Sequence, residues 1–269
     1  MFGYIRQLVK NTFIEAEASS ADYQSKQKTV DKKTIQICCI VAFSVVGVRY
    51  FGDTTFVMQF IQGAGLDTLH YSFETLFYRS ADASLYRLCW WVASIVGFYL
   101  VVPAIFIKFV WKEQMRAYGF KLRGAFKDYR MYFIMLAVMM PLVLWFSTTA
   151  SFQLRYPFYK PIAGQPLFPK FVIWEFVYFF QFIAVEFFFR GFMVHGTKQR
   201  FGFYAVFVMM IPYCMVHFGK PLPETIAAIA AGIMLGILSL KSRSVILGIA
   251  IHYSVAISMD LFALWQLRH

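Results

Sequence analysis

Several stretches of this chain are apolar over nearly enough residues to cross a bilayer, and six ionisable side chains sit within them: Glu175, Glu186, Arg190, His217, His252 and Asp260. A helix needs about 20 apolar residues to span the hydrocarbon. A charge at its centre costs about 2.5–3.5 kcal/mol on insertion scales, so such residues face one another or a wet cavity. The predicted fold is therefore all-α, a polytopic transmembrane helix bundle of about seven (six to eight) spans. Composition agrees, since 15% of the 269 residues are charged against about 25% in soluble domains.

The predicted spans are 35–48, 88–107 (with Pro103 as a kink), 131–153, 171–194, 201–217, 225–240 and 245–264. They form a single membrane domain, 35–269, whose motif-bearing core is 171–262. Residues 1–34 are read as a cytoplasmic or interfacial segment, too polar for a cleavable signal. Phe2, Ile5, Val9 and Phe13 recur near helical spacing, which fits a helix over 2–14 on the membrane surface or a polar tail. Segment 54–78 is left open to an eighth span or a re-entrant turn.

The net charge of +12 points to membrane topology and not to nucleic acid, because the basic residues cluster between apolar runs. On the side of the N-terminus fall 17 Lys and Arg. Eight, including Lys220 and Arg268, fall on the other, and Arg190 is the last of the 26. The predicted N-terminus is cytoplasmic, and the location the cell membrane. The four cysteines show no C-x-x-C spacing, so neither a zinc motif nor a disulfide framework is indicated. Residues 219–224 read as a tight turn, followed by Ala228, Gly232 and Gly236 on one face where a helix can approach closely.

Glu186 and Arg190 are four apart and share a helix face. They suit either a buried ion pair that fixes packing or a carboxylate poised for proton transfer. His217 and His252 lie on two further apolar segments, and two imidazoles with a carboxylate can hold a water or cradle an oxyanion. Glu175, about three turns before Glu186, is read as interfacial and structural, and Asp260 as a packing or capping group. The chain has no H-E-x-x-H, no Gly-x-Ser-Gly and no Gly-x-Gly-Asp, so three familiar intramembrane hydrolase chemistries are missing.

Three motifs, Glu186-Phe-Phe-Phe-Arg190-Gly191, Tyr213-Cys-Met-Val-His217 and His252, resemble in order and spacing the signature of the CPBP family. That family comprises CAAX prenyl proteases, bacteriocin-processing or immunity proteins and glutamate-type intramembrane relatives. The resemblance covers about 171–262. It implies an intramembrane endopeptidase in which Glu186 activates water, Arg190 holds it, and His217 and His252 stabilise the oxyanion or orient the water. Two positions depart from the family pattern. Val185 stands where its first Glu is usually assigned as the base, and Ala256 where it has Asn or Asp. They motivate the alternative, a non-catalytic relative acting as a membrane immunity or binding protein.

The expected partners are a peptide or protein substrate, membrane-anchored or free, and the lipid bilayer, with no nucleic acid. No cofactor is expected. A zinc held by Glu186, His217 and His252 has suitable ligands but no separate base.

Overall fold

The computed structural model describes residues 1–27, 29–161 and 164–267, and the side chain of every described residue in its helices except Phe2. Arg268 and Lys28, both counted in the charge asymmetry, lie outside the described residues. Among the described residues the regular structure is helical, with no strand.

In chain order the helices are α1 (Phe2–Lys26), α2 (Lys32–Phe51), α3 (Thr54–Gly63), α4 (Asp67–Glu74), α5 (Ala83–Val110), α6 (Tyr129–Phe146), α7 (Ala150–Arg155), α8 (Lys170–Glu186), α9 (Ala205–Met215), α10 (Leu222–Ser242) and α11 (Ile246–Gln266). α8 runs on through π-helical turns, Phe187–His195, and one more α-turn, Gly196–Phe201, into α9. Among the described residues six helical runs are long and apolar enough to cross a membrane: α2, α5, α6, the run Lys170–Met215, α10 and α11. The protein is an integral, multi-pass membrane protein. The predicted fourth and fifth spans fall in one 46-residue run, broken where Gly202 takes φ +55°. Segment 54–78 contains two short helices joined through Gly65 at φ +70°. The first is ten residues long and the second eight, continued by the five π-helical residues Thr75–Arg79, so each reaches about 20 Å or less, short of what a span needs. The predicted break at Pro103 takes the form of π-helical turns at Gly97–Val101 and Phe106–Val110. Wider turns relieve the clash between a proline ring and the carbonyl four residues earlier.

By its contacts the chain divides into two compact units. The first comprises Met1–Phe43, Val102–Leu136 and Glu186–Ile251. Here α1 extends well past residue 14 and packs on protein, burying Leu8, Thr12 and Ser20. Phe13 meets Phe203 edge-on at 5.7 Å. The Phe203 N–H donates to Glu17 Oε1 at 2.9 Å just after the Gly202 reversal. The φ of Gly202 calls for glycine, and a Cβ there, 2.2 Å from that carboxylate, would displace the Glu17 side chain. The small face of α10 performs as its spacing suggests: Gly232 lies under the Tyr213 ring and Gly236 under Val206 of α9. Between α5 and α6, the Trp111 ring stacks on Phe192 at 5.8 Å. The Tyr118 carbonyl comes so near Gly191 that a Cβ there would lie 2.7 Å away.

That connection is tied to α2 by Glu113, which receives Lys33 at 2.7 Å on both oxygens and the Tyr118 hydroxyl at 2.6 Å. Burial raises the Glu113 pKa, but the bonds from Lys33 and Tyr118 outweigh it and hold the carboxyl below its usual value. A carboxyl depressed in the folded state adds stability above its unfolded pKa and loses it as pH falls through the folded value. Glu113→Gln is therefore expected to lower the thermal midpoint at pH 7. The difference from wild type should shrink as pH falls below the unfolded value of about 4.3 and through the lower folded one, which a pH series of melts checks.

The second unit comprises Ser44–Val101, Ala137–Val185 and the segment from His252 onward. Its α3–α5 part is built on Val57, Ile61, Phe73 and Phe77, with Trp90 packed against them. Asp53 caps α3 by accepting the Thr55 N–H at 2.9 Å.

Candidate active site

The π-helical stretch after Glu186 is apolar all round except for Arg190 and His195, and every residue in it is buried. A helix of that character belongs in a protein interior. Phe187, Phe188 and Phe189 are fully buried in protein. Phe188 lies beside Phe192, and Phe189 meets the Tyr213 ring edge-on at 5.2 Å.

Glu186 and Arg190 are both completely buried, with Nη1 and Oε1 2.9 Å apart. The other Glu186 oxygen faces Gly248 on α11, where a Cβ would come within 2.8 Å. The Arg190 guanidinium lies over the Tyr213 ring at 3.8 Å, a desolvated cation–π contact worth about 2 kcal/mol. Tyr213 in turn holds His217. Their rings are 4.8 Å apart, and the Tyr213 carbonyl is 2.8 Å from His217 Nδ1. A carbonyl only accepts, so that nitrogen carries a proton. Thr225 donates to the His217 carbonyl at 3.0 Å, which fixes the turn after α9.

Three of the four predicted site residues thus join into one buried chain, Glu186–Arg190–Tyr213–His217, within the first unit. The link is Tyr213, which the sequence showed only as a variant motif position. The predicted fifth span starts at 201; α9 instead begins at Ala205, and His217 lies in the turn after it. His252 belongs to the second unit. It is half-buried, with its ring edge-on to Phe182 at 4.8 Å. Val185 and Ala256, where the family pattern has polar residues, are buried apolar positions.

Glu175, read from the sequence as interfacial and structural, is 6% exposed and faces Asp260 in the second unit. Asp260 is fully buried and has the packing role expected of it. It accepts the Phe158 N–H at 3.1 Å and the Trp174 indole N–H at 3.2 Å. Asp260→Ala strands both donors, so a loss of about 2–4 kcal/mol is expected in a denaturant titration.

His195 and Ser239 were missed altogether. The His195 Nε2 lies 3.0 Å from Ser239 Oγ, which reaches the Arg190 carbonyl at 3.4 Å. Each is a lone polar residue in an apolar run, and nothing in the sequence pairs them.

A multi-pass helical membrane protein with a buried Glu–Arg pair on a π-helical turn, linked through an aromatic ring to a histidine, is the class that fold and site define. Within it, residues 167–267 match the family model described as Type II CAAX prenyl endopeptidase Rce1-like. The match covers the three motifs and shows the resemblance read from them. Comparison with curated proteins and with solved structures found no match.

Proposed function

We propose that this protein is an intramembrane endopeptidase of the glutamate type, acting near the cytoplasmic leaflet of the cell membrane on a chain that ends in a prenylated CAAX segment. Glu186 takes a proton from a water, whose oxygen attacks the scissile carbonyl carbon. His217 stabilises the tetrahedral oxyanion or orients the water. The proton held by Glu186 then passes to the leaving amine as the C–N bond breaks. Arg190 positions Glu186 and balances its charge. The observation that carries the reading is the buried chain from Glu186 to His217, inside the segment that matches a CAAX endopeptidase family.

The test is release of a C-terminal tripeptide from a farnesylated CAAX peptide by the protein reconstituted in liposomes. Cleavage of that peptide, and not of its unprenylated form, is expected. If neither peptide is cut, the proposal fails. One observation favours the alternative, a non-catalytic relative with an immunity or binding role. The only carboxylate at the motif is the one Arg190 engages at 2.9 Å, since position 185 is Val.

A further inference from the structure

In the first unit, two segments are stitched together beside His195. The Val245 N–H donates to the Gly119 carbonyl at 3.0 Å, and the Ser244 hydroxyl to the Lys121 carbonyl at 2.7 Å. A Cβ on Gly119 would lie 3.2 Å from the His195 ring. This stitching brings Lys121 and Arg243 to where Lys198 emerges one turn after His195. Arg243 ends α10 in the left-handed region, at φ +54°, an uncommon conformation for a side chain of its kind. The charged groups facing Lys198 are Arg243 and Lys121, both cations.

Lys198 is half-buried, and its ammonium lies 3.3 Å from His195 Nδ1. An ammonium only donates, so Nδ1 accepts and Nε2 carries the ring proton. The bonds then run one way: Lys198 to His195, His195 to Ser239, Ser239 to the Arg190 carbonyl. His195 takes one of the three Lys198 protons. The nearby carboxylates are already engaged. Glu15 pairs with Lys241 at 2.9 Å while also facing Arg243 and Lys127, and Glu113 is held by Lys33 and Tyr118. Beside Lys121 a cleft of about 400 Å³ opens, lined by Glu113, Gln114, Arg116, Ala117 and Lys121.

The three cations repel one another, the nearby carboxylates Glu15 and Glu113 already hold Lys241 and Lys33, and an anion among the three relieves the repulsion. We infer that Lys121, Lys198 and Arg243 form a binding site for a phosphate-class oxyanion, either the phosphate of an anionic lipid headgroup or free phosphate. The inference stands apart from peptide hydrolysis, and its test reads binding alone.

Thermal midpoints are measured for the protein in nanodiscs of phosphatidylcholine, of phosphatidylcholine with phosphatidylglycerol, and of phosphatidylcholine in inorganic phosphate matched in ionic strength with chloride. A ligand that binds only the folded state raises the midpoint. A rise with phosphatidylglycerol alone assigns the site to lipid, and a rise with inorganic phosphate assigns it to the free anion. The triple variant Lys121→Gln, Lys198→Gln, Arg243→Gln should lose the rise. Its glutamine at 198 can still donate to His195, so folding is kept, and its midpoint in phosphatidylcholine alone reports on that. Arg6, Lys10 and Lys112 changed together to Gln should retain the rise. Arg243→Gln alone, on an exposed side chain, should weaken binding about fivefold. No rise in the wild type, or equal rises in both triple variants, would overturn the inference.

Discussion

An Arg190→Met variant is expected to lose about 3–5 kcal/mol of stability, and the double variant Glu186→Gln, Arg190→Met to regain most of it. Both side chains are fully enclosed. Removing one partner leaves the other charged in a medium that solvates it poorly, whereas replacing both removes the desolvation cost together with the attraction. Glu186→Gln alone should also destabilise, though less. Its amide oxygen still accepts from the guanidinium, and the Tyr213 face still supports the cation. Denaturant titrations of the four proteins in one lipid complete the cycle. A double variant no more stable than Arg190→Met would mean that the pair is not the main tenant of this site.

The same double variant is expected to hydrolyse the farnesylated peptide at least about 10²–10⁴-fold more slowly than wild type, the usual contribution of a positioned acid–base group. An amide at 186 has nearly the shape of the carboxylate but cannot take a proton from water. With stability restored, lost turnover cannot be laid to unfolding, which the single variants leave confounded. A stable double variant that still cleaves would remove Glu186 from the mechanism. His217→Ala offers a complementary measurement: it deletes the imidazole but leaves the Glu186–Arg190 pair in place, so activity should fall further than the thermal midpoint.

The Glu186–Arg190 contact was legible from a spacing of four, because helical residues at that interval share a face whether the turn is α or slightly wider. The helical register beyond Glu186 was not legible. Nine consecutive buried residues in π-helical turns have no period that sequence alone assigns, since apolar residues on every side carry no amphipathic signal. Tyr213 looked like a conservative variant of a phenylalanine. Its role, one face under Arg190 and its carbonyl on His217, arises because α9 begins at Ala205. The neighbour of Glu175 was not legible either, because Asp260 lies 85 residues away in the chain.

By itself, the sequence determined that this chain is a helical membrane protein and that a carboxylate, an arginine and two histidines lie within its apolar segments. Hydropathy and short-range spacing are properties of residues and of their near neighbours, and a bilayer converts them directly into spans. Only the tertiary structure decided which of those groups touch. Arg190 finds Tyr213, His195 finds Ser239, and Asp260 finds Trp174, all far beyond the reach of helical spacing. Contacts of that reach depend on where the chain turns at Gly202 and Arg243, and no local pattern encodes them.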